Sequence, residues 1–209
     1  MNSDVNRGLP GLSVSRETLA RLDRYAEGLR RWSASLNLVS RSTLDQIWTR
    51  HFLDSAQLFN LADDTANTWA DMGSGAGFPG LVIAAVANEF RPDISISLIE
   101  SDHRKSIFLE QMTHEMELVN VRVLNKRIED VALEPVGVLS ARALAPLERL
   151  LDLSHRFMSS DSIALFPKGR GYAEEVAQAR QRWRFDLELL PSLSDTEARI
   201  LRIRNLGHA

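Results

Sequence analysis

The stretch "WADMGSGAGFPG", residues 69–80, constrains this chain more than any other. Four of the eleven glycines stand in it, Gly73, Gly75, Gly77 and Gly80. A tight turn needs one or two glycines; a series of four implies main chain stripped of side chains so that something can approach it. The stretch follows a strand-like "TWAD" and precedes a helix-like "LVIAAVANEF". That is the setting in which a glycine turn presents a ligand to a helix N-terminus.

Two ligand classes use such a turn. A dinucleotide is suggested by "GAGFPG" (75–80), which fits G-x-G-x-x-G, with Glu100 about 20 residues beyond where an acid for a ribose diol is expected. Three features oppose it. The glycine series starts earlier, at Gly73, directly after Asp71 and Met72. Pro79 has no amide hydrogen to offer a phosphate where the helix begins. The strand pattern also ends in a hairpin rather than a second mononucleotide-binding half. S-adenosylmethionine carries no phosphate, and needs close backbone plus a ribose-binding acid, so the same residues suit it better. Glu100, closing the strand "ISISLIE", is the candidate acid. Asp71, at the end of the preceding strand, is expected either to accept from the ligand's ammonium group or to hold the loop.

Along the chain, apolar residues from Ser15 to about Leu36 fall at three- and four-residue spacing and predict an amphipathic helix with Ser15 as N-cap. A second helix is predicted over Thr43 to Leu61. Beyond "ADDTAN" (62–67) the pattern changes to short apolar runs, "TWADM", "ISISLIE", "VRVL", "VGVLSA" and "SIALF". Helical patterns lie near 80–89, 103–117 and 146–158 among them, which predicts parallel βαβ units. "RFDLELL" and "ARILRIR" flank Pro191 with no helix between them and predict a terminal antiparallel hairpin. The expectation is a helical cap over residues 1–65 and an α/β core over 66–209: five helix-linked strands and a hairpin, seven in all.

Composition narrows the chemistry. With no cysteine, disulfides and thiolate metal sites are excluded, and no metal site is expected. No run of 18 apolar residues and no apolar N-terminal segment occur, so a cytoplasmic protein is expected. The net charge of −3 is unusual for a dedicated nucleic-acid binder, although residues 1–60 carry eight arginines against six acids. Arg142, after "VGVLSA", falls at the same sheet edge as the glycine loop. Lys168 closes the fifth strand and is expected either to cap it or to meet a ligand. His51 and Asp54 share a helix face, where a packed pair anchoring the cap is the simpler expectation.

The motifs "RHFLDS" (50–55), "ADMGSGAGFPG" (70–80), "LIES" (98–101), "KRIED" (126–130), "SARALAPL" (140–147) and "FPKG" (166–169) occur in this order. Together they resemble the bacterial 16S ribosomal RNA guanine-N7 methyltransferases, the glucose-inhibited division protein B family. The resemblance implies a class I, Rossmann-like methyltransferase fold: α/β, with a seven-stranded, mostly parallel sheet, a terminal antiparallel hairpin and an N-terminal helical cap. It implies methyl transfer from S-adenosyl-L-methionine to guanine N7 in the 530 loop (nucleotide 527). Carried over by motif, the cofactor contacts are Gly73, Gly75, Phe78 and Glu100, with Ile128 and Glu129 flanking the adenine. Arg142 would reach the cofactor or target as an orienting residue, no general base being needed. Arg104, Lys105, Arg127 and Lys168 would face RNA phosphates. His103 departs from the pattern just ahead of Arg104 and Lys105. The implied partner is 16S rRNA, within the small ribosomal subunit or an assembly intermediate, met by a monomer with no membrane contact. An NAD(P)-dependent oxidoreductase and a non-catalytic ribosome assembly factor with a vestigial pocket stay open as alternatives.

Overall fold

A computed structural model describes Leu9 and residues 11–209; the other N-terminal positions of the expected cap lie outside the described residues. Helix α1 (Arg16–Ser33) starts where the sequence predicts, with the Ser15 side chain accepting from the Thr18 amide at 3.2 Å. Its buried face carries Leu22, Tyr25, Ala26 and Leu29. These residues belong to the same hydrophobic cluster as Leu81–Ala87 of the sheet-covering helix and as Trp69 and Leu98 of the central strands.

The single helix predicted over Thr43–Leu61 is replaced by short turns. The chain makes α2 (Arg41–Leu44), a π-helical turn (Trp48–Leu53), α3 (Asp54–Ala56) and a 3-10 turn (Phe59–Leu61). Tertiary packing overrides the local pattern here. Phe52 is fully buried, edge-on to Trp48 at 4.9 Å and stacked on Tyr25 at 5.4 Å, while His51 is stacked on Phe78 at 4.7 Å. The widened turn lets adjacent residues reach separate destinations, a use typical of π-turns near functional sites.

The remainder is a βαβ succession. It runs β1 (Thr68–Met72), α4 (Gly80–Phe90), β2 (Ser95–Glu100), α5 (His103–Glu115), β3 (Val121–Asn125) and β4 (Val138–Ser140). Next come α6 (Leu147–Ser154), β5 (Ile163–Lys168), α7 (Tyr172–Ala179), β6 (Trp183–Pro191) and β7 (Arg199–His208). The seven strands lie in the order β3-β2-β1-β4-β5-β7-β6. β1 to β5 run parallel, and β7 runs antiparallel to both β5 and β6. The expected sheet and terminal hairpin are present. Two connections differ from the expectation. β3 reaches β4 through a 3-10 turn (Ile128–Asp130) and extended chain rather than a helix. An unforeseen α7 precedes the hairpin, its pattern too polar to stand out because only Ala179 is buried. Among the described residues no helix is long and apolar enough to cross a membrane.

β1 sits between β2 and β4, so the connections leaving its two sides diverge there. A crevice at the carboxyl ends of the strands follows at that switch point. The glycine loop leaves β1 directly into it.

Candidate active site

Asp71 anchors the loop. It is completely buried, accepting the Gly80 amide on Oδ2 at 3.1 Å and the Ser140 hydroxyl on Oδ1 at 2.8 Å. Ser140 in turn accepts from Trp69 Nε1 at 2.9 Å. Of the two roles open to Asp71, the structure shows the loop-holding one. Its bond to Gly80 also satisfies the first amide of α4, so the helix N-terminus is closed to a phosphate. Desolvation raises the Asp71 pKa to about 6 against the pull of these hydrogen bonds.

The four glycines exist for different reasons. A Cβ on Gly80 would strike Leu98 and come within 2.8 Å of Asp71 Oδ2. One on Gly77 would come within 2.5 Å of the Tyr25 hydroxyl, and one on Gly73 within 2.5 Å of Leu144. At these three the protein itself is the close neighbour. Gly75 alone opens on free space: its φ is +57°, and a Cβ there would meet nothing nearer than the Gly73 carbonyl at 3.7 Å. The loop is also gripped from the cap, since the buried Tyr25 hydroxyl donates to the Ala76 carbonyl at 2.5 Å.

Gly75 fronts a cavity of about 700 Å³, a size suited to a nucleoside-like ligand. Gly73, Phe78, Glu100, Lys105, Arg127, Ile128, Glu129 and Arg142 also line it, bringing nine of the predicted residues, Gly75 included, to one place. Glu100 accepts the Gly75 amide on Oε2 at 2.8 Å and the Asp102 amide on Oε1 at 2.7 Å. Each oxygen keeps a second lone pair for an incoming hydroxyl. The Glu129 carboxylate is bonded at 2.5 Å to Arg149, which lines the same cavity.

Arg142 leaves the end of β4 and is held from the cap. Its Nη1 donates to Asp54 Oδ2 at 3.0 Å, its Nη2 meets His51 Nδ1 at 2.9 Å, and its guanidinium lies 4.7 Å from the Phe78 ring centre. His51 and Asp54 therefore do anchor the cap, and the partner is Arg142, which sequence spacing alone did not reveal. Burial and the Arg142 charge lower the His51 pKa to about 4.

Beyond Arg142 the chain turns through Ala143, whose φ of +51° is a strained backbone state for a residue with a Cβ. Residues Arg142–Ala145 form a wall shared with a second cavity of about 890 Å³, also lined by Arg50, Asp54, Lys168, Ser194 and Thr196. Lys168 stands here, but its ammonium is committed to the Ala145 carbonyl and Glu175 Oε2, both at 2.7 Å. Glu175 also accepts the first amide of α6 from Leu147. Lys168 thus ties down the shared wall instead of projecting freely, and Glu175 lay on the helix the sequence did not disclose. Arg104 donates to the Ser35 carbonyl at 2.9 Å and lies outside both cavity walls. His103 pairs with Asn125 at 3.1 Å.

The family model for rRNA small subunit methyltransferase G, GidB, matches residues 18–201. The chain belongs to this family. It is 43% identical over 208 residues to the ribosomal RNA small subunit methyltransferase G of Cereibacter sphaeroides, covering 100% of each chain. It is 46% identical to that of Ruegeria sp., covering 96% of this chain and 97% of the relative. Among solved structures it shares the fold of a TehB-like SAM-dependent methyltransferase from Corynebacterium glutamicum. The TM-score there is 0.55 at 15% identity, over 88% of this chain and 98% of the other. A predicted O-methyltransferase from Agrobacterium tumefaciens superposes with TM-score 0.57 at 19% identity, over 73% and 81%.

The protein is an S-adenosyl-L-methionine-dependent methyltransferase, and the site fits that donor. Gly75 leaves room that a side chain would fill, Glu100 can accept from a ribose diol, and Ile99, Ile128 and Phe78 supply apolar wall. The oxidoreductase alternative falls with the family match, and the literal G-x-G-x-x-G was misleading because Gly77 and Gly80 serve internal packing.

Two outcomes follow. Gly80→Ala should lower the unfolding free energy by about 1–3 kcal/mol through overpacking. Gly75→Ala, straining only its left-handed backbone by about 1–2 kcal/mol, should instead weaken S-adenosylhomocysteine binding in calorimetry well beyond its effect on denaturant midpoint. For Asp71, the folded state binds its proton more tightly than the unfolded chain does, so this group's contribution to stability falls as pH rises from about 4 to about 6. Denaturation of wild type minus Asp71→Asn across that window should show a decline on the order of 2 kcal/mol; a rise would contradict the burial argument.

Proposed function

We propose that the protein methylates N7 of one guanine in the 530 loop of 16S rRNA, nucleotide 527 by family resemblance. The observation that carries this reading is that, among the described residues, the candidate bases at the site are engaged by the protein itself, Glu129 by Arg149 among them. Asp71 is buried under two hydrogen bonds, Glu100 is held by two amides, and His51 Nδ1 faces Arg142. Guanine N7 presents an in-plane lone pair and no hydrogen, so no residue has to remove a proton. A nitrogen or hydroxyl nucleophile that must lose one would need a base these residues do not supply.

When bound, S-adenosyl-L-methionine supplies an electrophilic methyl carbon on a positively charged sulfur. Gly73, Gly75 and Phe78 give it backbone and ring contact, Glu100 takes the ribose hydroxyls, and Ile128 and Glu129 flank its adenine. The target nucleotide approaches along the Arg142–Ala145 wall that the two cavities share. Arg142, fixed by Asp54, His51 and Phe78, orients the reactants, so the chain's contribution is positioning of preformed groups rather than proton transfer. A guanine buried in folded RNA must first be displaced toward this wall.

Lys105 and Arg127 on the cavity rim, with Arg104 beside them, face the RNA phosphates. Lys168 contributes through the wall it secures. The substrate is 16S rRNA carried in the small subunit or an assembly intermediate, met in the cytoplasm by a monomer built from the 1–65 cap and the 66–209 core. The chain's mild acidity suits a protein that relies on the assembled particle for affinity.

Deleting the protein from its host and mapping N7-methylguanine in small-subunit rRNA should show one methylated guanine lost, restored by wild type and not by Glu100→Ala. An unchanged methylation map would refute the reading.

A further inference from the structure

His51 holds a hydrogen-bond donor that nothing uses. Arg142 has only donors, so the 2.9 Å contact between its Nη2 and His51 Nδ1 makes Nδ1 the acceptor. Burial and the neighbouring guanidinium keep the ring neutral, with a pKa of about 4, so its one ring proton resides on Nε2. That atom is buried and has no partner. An unmade bond of this kind is costly, and native structures keep few of them. The ring is also rigidly placed, stacked on Phe78 with planes 18° apart and held through Arg142 to Asp54. It lines the cavity wall next to Arg142.

We propose that the His51 Nε2–H donates to the carbonyl oxygen O6 of the target guanine and thereby selects guanine over adenine. The proposal rests on the guanine-N7 reading above. O6 and N7 are neighbouring acceptors on the same edge of guanine. N7 must stay bare to react, which leaves O6 as the acceptor that can be gripped there. Adenine carries an amino group at that position, so its N–H would face the His51 N–H and both donors would be left unpaired. Neutrality matters equally. The purine ring gains positive charge as N7 is alkylated, and an uncharged donor opposes that charge far less than an imidazolium would. Nε2 is buried in the substrate-free structure, so the bond to O6 requires the side chains that cover it to move when the target binds.

The test compares kcat/KM on reconstituted small-subunit RNA carrying guanine or 2-aminopurine at the target; 2-aminopurine keeps N7 and lacks O6. Wild type should prefer guanine by roughly ten- to a hundredfold. His51→Ala, which also releases Arg142, should slow both substrates but slow guanine by about that factor more, abolishing the preference, while His51→Gln, which retains an N–H donor, should recover part of it. Equal losses on both substrates, or a wild type indifferent to O6, would overturn the proposal while leaving the guanine-N7 reading intact. A wild type that leaves guanine N7 unmethylated would defeat that reading itself. Independently of turnover or of any variant's folding, nitrogen NMR of the wild type should show a protonated Nε2 and a bare Nδ1 at neutral pH; the reverse tautomer would overturn the proposal.

Discussion

One buried carboxylate organises the whole site. Asp71 ends β1 at the switch point of the sheet and bonds at once to the start of α4 through Gly80 and to the end of β4 through Ser140. With no solvent to compete, each bond is strong and each partner is fixed. The glycine loop must then arch from Met72 to Gly80 over a set span, and Gly75 comes to rest at its crest against Glu100. Because Asp71 already caps the helix, the crevice receives a ligand at its backbone and its acid rather than at a phosphate-binding helix end.

The helical cap supplies the other half of the architecture. Tyr25 holds the loop from above, and the π-turn delivers Phe52 into the core beside a His51 that reaches Phe78 and Arg142. Arg142 is the seam between the two halves, strand-borne but oriented by cap residues. A further strut runs through Asp54, which accepts from Ser194 at 2.6 Å and from Gln57 at 3.1 Å; Gln57 in turn accepts the Leu193 amide at 2.8 Å. Cap, central sheet and hairpin turn thus meet around one guanidinium, which explains how the site holds its geometry.

Much of this was legible in the residues. Strand–loop–helix patterning placed Asp71, Glu100 and Arg142 at one sheet edge, and the count of seven strands followed from the alternations and the hairpin, while their order did not. What escaped depended on tertiary context. The π-turn arises because Trp48, His51 and Phe52 have separate destinations, which a helical period cannot encode. α7 buries little and leaves almost no periodic trace. The glycines all read as ligand clearance, whereas Gly77 and Gly80 make room for Tyr25, Leu98 and Asp71, and Gly73 lines the cavity while also making room for Leu144. Lys168 was left open between capping its strand and meeting a ligand because its partners, Ala145 and Glu175, lie far away in sequence or on the undetected helix.

The central claim is that open main chain at Gly75, with Glu100 behind it, is the seat of the methyl donor. A crystal structure with S-adenosylhomocysteine tests it most directly. The account requires adenosine against Gly75 with both ribose hydroxyls on Glu100; ligand density elsewhere, or a ribose turned away from that carboxylate, would contradict it.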